Sequence, residues 1–170
     1  EAINVKEGVL LQATAMQKSG YCTWDLKKGM QRLVWEDNRI TGIISSEING
    51  VYCYVMEHYH LSPQLVVKFK DRKEKILYRS NTQQKHFQWG FSKLITYENS
   101  KGQVLNGALF YPAGYDADKN YPMVVYIYER VSDVYKQYIN PSLLNQDGFN
   151  ISNLTTQGYF VFLPDIAYKE

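Results

Sequence analysis

The sequence predicts a mixed α/β, β-rich fold, in which antiparallel strands come first and the opening strands of a buried parallel sheet follow. The first observation is a repeat of strand-like segments in the first half of the chain, with residues 21–38 matching residues 64–81. The second is a pair of unbroken apolar runs, residues 123–128 and 159–163. About thirty residues separate these runs, enough for the right-handed crossover that joins parallel strands.

The composition fits a folded chain with a sizeable core. The 170 residues are 45% hydrophobic and 21% charged, with 15 tyrosines and a net charge of +2. The longest basic stretch, residues 68–75, also contains Asp71 and Glu74, which favours a solvated hairpin turn over a nucleic-acid surface. No apolar run approaches the ~18 residues of a membrane-spanning helix. We therefore expect neither a nucleic-acid partner nor a membrane span.

The repeat has an offset of 43 residues, from Tyr21 to Gln64. At this offset Trp35 aligns with Tyr78, and Val9 aligns with Tyr52. Each copy reads as three strands with a charged turn before the third, and residues 41–46 add a short strand before the second copy.

A period of about 40–50 residues with four strands per unit is typical of a β-propeller blade. We therefore interpret residues 1–87 as the C-terminal part of a β-propeller, about two blades. An ordinary antiparallel meander with a chance resemblance between its halves is the alternative.

The second half begins with a hairpin. Residues 83–90 are polar and read as a connection between units. Two apolar runs, residues 93–98 and 104–111, then flank an Asn/Ser/Gly turn at residues 99–102, which is a strong hairpin signal. Pro112 ends the second strand and opens a loop.

The apolar runs predict strands covered on both faces. Residues 123–128 do not alternate as a strand with one solvated face would, and Pro122 sits where its missing N–H costs no ladder bond. Residues 159–163 form the second strand. Between them, residues 151–157 predict a short helix with Asn150 or Ser152 as N-cap.

Two stretches of the second half resemble a known protein family. The stretch 107–128, followed by 158–165, resembles the prolyl oligopeptidase family of serine peptidases, which includes the dipeptidyl aminopeptidases and acylaminoacyl peptidases. That family joins a β-propeller to a C-terminal α/β-hydrolase domain. The resemblance implies that residues 88–170 are the N-terminal part of the hydrolase domain, truncated before the nucleophile, and that both chain ends are internal to a longer protein.

The resemblance also implies a function for the full-length protein. The substrate of the full-length protein would be a short peptide, and its reaction would need no cofactor or metal. A homo-oligomer is compatible with the resemblance. Relatives with this pattern are often exported in bacteria, which favours a periplasmic or exported location.

Tyr128 matches the family tyrosine whose hydroxyl helps to form the oxyanion hole. An O–H donor aimed at the developing oxyanion stabilises the transition state. Many family members continue with a small, Gly-rich turn, whereas this chain has Glu129-Arg130-Val131-Ser132-Asp133. The alternative is a core tyrosine that closes a strand.

The catalytic triad is expected outside the chain. Such enzymes place Ser on a G-x-S-x-G turn and then Asp and His, but the nearest stretch, residues 90–94, lacks the second Gly. We expect the chain alone to have no peptidase activity. An esterase of the α/β-hydrolase type and a non-catalytic propeller that binds partners are the competing functions.

A few other side chains bear on chemistry. Asp165 ends a buried strand and is interpreted as a residue that fixes a nearby loop. His58 and His60 would face the same way, as a surface or interface pair rather than a metal site.

Cys22 and Cys53 are expected to be free thiols, with a single bridge as the alternative. Two glycosylation sequons begin at Asn150 and Asn153.

Overall fold

A computed structural model describes residues 8–15, 17–46, 50–69, 73–143 and 149–167. The chain forms two compact units. The first consists of Glu1–Glu57 with Pro63–Ser80, and the second of His58–Ser62 with Asn81–Glu170.

The first unit consists of antiparallel strands. Its strands are β1 (Val9–Ala15), β2 (Lys18–Asp25), β3 (Gly29–Glu36), β4 (Arg39–Ser45), β5 (Val51–His58), β6 (Leu61–Phe69) and β7 (Lys75–Arg79). The last residue of β5 and the first two residues of β6 are counted with the second unit. They form one sheet in the order β1-β2-β3 and another in the order β4-β5-β6-β7. Each strand neighbours the next in sequence, as in stacked meanders. This arrangement is compatible with propeller blades.

The structure confirms the strand pattern of the repeat. Strands β1, β2 and β3 correspond to β5, β6 and β7, and β4 adds a fourth strand to the second copy. The pairing of β2 with β3 shifts register opposite Tyr21/Cys22, where Leu33 of β3 is an extra residue. The pairing of β6 with β7 shifts opposite Leu65/Val66, where Leu77 of β7 is an extra residue, close to the equivalent position. Two sequence copies therefore fold into two similar sheets.

The charged turn of the first copy is held by Asp25. Its Oδ1 accepts from the backbone N–H groups of Lys27 at 2.8 Å and Lys28 at 2.6 Å. These bonds lower the pKa of the Asp25 carboxyl, the bond from Lys28 contributing most. Gly29 follows with φ +65°, a left-handed conformation that glycine adopts without a steric cost. The second turn, at residues 71–73, lies largely outside the described residues.

The core of the first unit is aliphatic and aromatic. It consists of Tyr21, Val34, Ile40, Tyr54 and Val66. Burial raises the pKa of the Tyr54 hydroxyl well above its usual range, and the carboxylates of Glu74 and Glu36 add to the effect.

The second unit is built on a mixed sheet. Its strands are β8 (Ser92–Glu98), β9 (Val104–Phe110), β10 (Met123–Val125) and β11 (Phe160–Pro164), in the order β10-β11-β9-β8. Strands β10 and β11 are parallel, while β11–β9 and β9–β8 are antiparallel. The structure thus confirms both the predicted hairpin and the predicted parallel crossover.

The first apolar run differs from its prediction. Residues 123–128 were expected to form a strand covered on both faces, but only Met123–Val125 is a strand, and Met123 is 50% exposed. Ile127 and Tyr128 are more exposed still. The reason is that β10 is at the edge of the sheet, where β11 is its neighbour among the described strands, and only Val124 of its three residues is half-buried. By contrast, β11 is central and largely buried, as predicted.

The predicted helix is confirmed as α1 (Ile151–Thr156). Asn150 is its N-cap, because the Asn150 Oδ1 accepts from the Asn153 N–H at 2.9 Å. Gly158 follows the helix with φ +90°. Ser152, the alternative cap, lies instead in the buried interior.

The core of the second unit forms around Tyr59. This side chain is fully buried and packs edge-on against Phe110, with ring centroids 4.8 Å apart. The Tyr59 hydroxyl shares a hydrogen bond of 2.6 Å with Thr155 Oγ1. Burial raises the pKa of this tyrosine. The sheet therefore packs on an apolar core in which the buried Tyr59 hydroxyl has a hydrogen-bond partner.

Candidate functional site

The loops of the second unit meet at one edge of its sheet. Strands β10 and β11 are parallel, and β8 runs in the same direction because β9 is antiparallel to both β8 and β11. The ends of β8, β10 and β11 therefore lie at the same edge as the start of β9. Ligands of open α/β sheets bind at the carboxyl ends of the strands, so this edge is the candidate functional site.

Asp165 holds the loop that follows β10. Its Oδ1 accepts from the backbone N–H groups of Val131 at 2.8 Å and Ser132 at 2.9 Å. Its Oδ2 accepts from the Ser132 hydroxyl at 2.7 Å. Ser132 begins a 3-10 helix (Ser132–Lys136), whose first N–H groups have no partner within the helix. A carboxylate is a strong acceptor for such groups, and the predicted loop-fixing role of Asp165 is confirmed.

The backbone around Asp165 is fixed as well. The Asp165 N–H donates to the Asn106 carbonyl at 2.9 Å, and the Ile166 N–H donates to the Glu129 carbonyl at 3.0 Å. The Tyr97 hydroxyl donates to the Asp165 carbonyl. Burial, followed by the nearby Asp165 charge, raises the pKa of Tyr97. The end of β11 is therefore bonded both to β9 and to the loop after β10.

A polar cleft of about 1200 Å³ opens at this edge. The β8–β9 turn lines one side, and the loop segments after β10 and β11 line the other. The charged side chains in its lining are Lys101, Arg130, Asp133 and Asp165. Arg130 and Ser132 were not predicted as parts of a site, because the cleft forms from segments that are distant in sequence.

Tyr128 lies between the end of β10 and the bend at Glu129–Arg130. Its side chain is 59% exposed and is not among the residues that line the cleft. Tyr128 precedes by three residues the first N–H group that Asp165 accepts. The structure thus brings Tyr128 and Asp165 to the same sheet edge.

The histidine pair shares one face, as predicted. The rings of His58 and His60 have centroids 4.5 Å apart, and His58 also contacts Tyr135 edge-on. The His60 side chain is exposed by surface area, yet the surrounding protein removes enough water to lower its pKa. Among the described residues, no group of three His, Cys, Asp or Glu side chains could hold a metal ion.

The structure also describes the two cysteines, the two sequon asparagines and part of the basic stretch. Cys22 is buried, Cys53 is half-buried, and both are free thiols. The side-chain amides of both sequon residues donate to carbonyls, Asn150 to Asn140 at 3.0 Å and Asn153 to Ser142 at 2.6 Å. A glycan on either nitrogen would replace these bonds. In the basic stretch, Lys68 pairs with Glu74 at 2.8 Å.

The fold of this chain is similar to parts of several solved protein structures. The structure resembles the isopeptidase AtxE2, with a TM-score of 0.68 and 14% identity over 97% of this chain. It also resembles a protein described as a dipeptidyl aminopeptidase IV from Bacteroides ovatus, with a TM-score of 0.66 and 18% identity over 94% of this chain. A prolyl endopeptidase structure gives a TM-score of 0.65 and 13% identity over 95% of this chain.

The chain spans about a quarter of the length of these solved structures, between 23% and 25% of each. No family model and no curated protein matches the sequence. The predicted resemblance to prolyl oligopeptidase relatives is therefore confirmed at the level of the fold. None of the helices among the described residues is long and apolar enough to cross a membrane.

Proposed function

We propose that this chain is part of a serine peptidase of the prolyl oligopeptidase type that hydrolyses short peptides. The observation that carries the proposal is the Asp165 carboxylate, which accepts three hydrogen bonds from Val131 and Ser132 in the loop after β10. A loop held in this way at the carboxyl edge is suited to present oxyanion donors, because such donors stabilise charge only when their positions are set in advance.

Tyr128 is proposed as an oxyanion-hole donor. Its hydroxyl would donate to the oxygen that becomes negative when a nucleophile attacks the peptide carbonyl. The exposure of the side chain is consistent with access to a substrate. In α/β-hydrolases the loop after the third strand also supplies an N–H to the oxyanion hole, and the corresponding loop here follows β10.

The chain would contribute to two domains of this peptidase. Residues 1–87 would be the end of a β-propeller, and residues 88–170 the start of an α/β-hydrolase domain. The propeller would restrict access to short peptides. The serine nucleophile, its aspartate and its histidine would be supplied from outside this chain. Several structural neighbours are described as peptidases, which supports peptide hydrolysis as the reaction.

The test compares substrates and a serine-directed inhibitor on the full-length protein. We expect hydrolysis of dipeptidyl or prolyl p-nitroanilides and covalent labelling by a fluorophosphonate. Hydrolysis of p-nitrophenyl esters without peptide hydrolysis would instead identify an esterase. No labelling and no turnover would overturn the peptidase proposal and leave a binding protein as the better account.

A further inference from the structure

A second cleft, of about 610 Å³, lies in the second unit apart from the Asp165 site. Its lining comes from residues 81–89 and 138–141 together with Ala113 and Thr156, none of which lines the first cleft. Ala113 follows the end of β9, and Thr156 precedes the start of β11, so both lie at the opposite edge of the sheet. The volume is in the range of about 300–1,000 Å³ that is typical of small-molecule sites.

One wall of this cleft is aromatic and held in place. The rings of Trp89 and Tyr138 stack with centroids 5.6 Å apart and an interplanar angle of 11°. Trp89 Nε1 donates to the Tyr59 carbonyl at 2.8 Å, and Asn81 Nδ2 donates to the Tyr138 hydroxyl at 3.2 Å. Because both rings are anchored at their polar ends, little conformational freedom is lost when a ligand binds.

Further aromatic surface is open to solvent. Phe87 also lines the cleft and is 66% exposed. It directly follows the 3-10 helix Thr82–His86, and its N–H donates to the Gln84 carbonyl at 3.0 Å. An exposed aromatic ring beside an anchored aromatic pair offers a flat apolar surface to a ligand.

The polar part of the lining is neutral. No Asp, Glu, Lys, Arg or His lines this cleft among the described residues. Five lining residues carry side-chain carboxamides: Asn81, Gln83, Gln84, Gln88 and Asn140. These side chains add hydrogen-bond donors and acceptors to the lining of the cleft without adding charge.

This combination selects a ligand class. A charged ligand would lose hydration without meeting an opposite charge. A wholly apolar ligand would leave the carboxamides desolvated and unpaired. A carboxamide both donates and accepts hydrogen bonds, which matches a hydroxyl group, and an aromatic face matches the C–H face of a pyranose ring. We propose that this cleft binds a neutral saccharide.

Calorimetric titration of the full-length protein with neutral oligosaccharides tests the proposal, with maltohexaose, cellohexaose and xylohexaose as probes. We expect at least one to bind with a Kd of about 1 mM or tighter. The variants Phe87→Ala and Asn140→Ala should each weaken that binding about fivefold or more. Leu26→Ala, which removes an equally exposed side chain outside the cleft, should leave binding unchanged.

Three results would overturn the proposal. The first is that none of the probes binds, and the second is that binding persists unchanged in both cleft variants. The third is that a proline-rich peptide binds and loses affinity in these variants while the saccharides do not bind. Circular dichroism of each variant separates a folding defect from lost binding. Because calorimetry measures binding directly, the test does not depend on the proposed peptidase function.

Discussion

At the level of single residues, the Asp165 carboxylate has the largest structural effect at the candidate site. It accepts from two backbone N–H groups and one hydroxyl, all in the loop after β10. Hydrogen bonds to a charged group contribute about 1.5–3 kcal/mol each, and their removal leaves buried donors without partners. We therefore expect this side chain to contribute strongly to the stability of the loop.

Asp165→Ala is expected to lower the free energy of unfolding by about 2–4 kcal/mol, since all three donors lose their acceptor. Asp165→Asn should cost less, because its remaining oxygen can still accept from the two N–H groups. Urea denaturation followed by tyrosine and tryptophan fluorescence measures both. The exposed Asp133→Asn is the control, and an equal effect in the control and Asp165→Ala would contradict the role of Asp165.

Tyr59 predicts how stability depends on pH. Its pKa is raised by burial, so the unfolded chain ionises at lower pH than the folded one. The stabilising contribution is fully present below the unfolded value of about 10 and is lost as pH rises above it.

Tyr59→Phe should lower stability at pH 7 by about 1 kcal/mol through the lost hydrogen bond to Thr155. It should also reduce the loss of stability in the alkaline range, because no hydroxyl remains to ionise in the unfolded state. Urea midpoints measured from neutral to alkaline pH test this. The exposed Tyr78→Phe is the matched control, and parallel alkaline profiles for Tyr59→Phe and the unchanged protein would count against the argument.

At the level of elements, helix α1 is short and depends on its N-cap. Asn150→Ala removes the acceptor for the Asn153 N–H and should destabilise the second unit by about 0.5–2 kcal/mol. Asn150→Asp keeps an acceptor at this position and should recover most of that loss. Thermal unfolding monitored by circular dichroism gives the comparison, and equal melting temperatures for the Ala and Asp variants would show that the cap is unimportant.

Elements with local signals were predicted well. The N-cap Asn150 and the turn at residues 99–102 depend on residues close together in sequence, and the 43-residue repeat is visible as a match between two stretches of the sequence. The structure confirms all three. The run at residues 123–128 was misjudged because its apolar character does not reveal whether the strand is central or at an edge. That depends on which strands pair with it, and β11 pairs with only one side of β10.

The candidate site was only partly predictable. Tyr128 was identified from the family resemblance, and Asp165 was identified from its position at the end of a buried strand. The partners of Asp165 were not, because the backbone N–H groups of Val131 and Ser132 carry no sequence signature, and these residues lie 34 and 33 residues away, respectively. Tyr59 and Thr155, 96 residues apart, were missed for the same reason.

At the level of the whole molecule, the proposed peptidase activity would need residues from outside this chain. The triad would come from outside residues 1–170, so the purified 170-residue chain should release no p-nitroaniline from dipeptidyl substrates above the buffer rate. Its folded state would be verified by circular dichroism in the same sample. Turnover by the folded chain alone, sensitive to a fluorophosphonate, would show that the nucleophile lies within it.

The measurement that tests the central claim most directly is the turnover of the full-length protein with Tyr128→Phe. This substitution removes one hydroxyl from an exposed side chain and leaves the packing of the ring in place. If Tyr128 donates to the oxyanion, kcat should fall by about 10²–10³-fold while KM changes little. An unchanged kcat in a correctly folded variant would contradict the assignment and leave Tyr128 as a residue that only closes a strand.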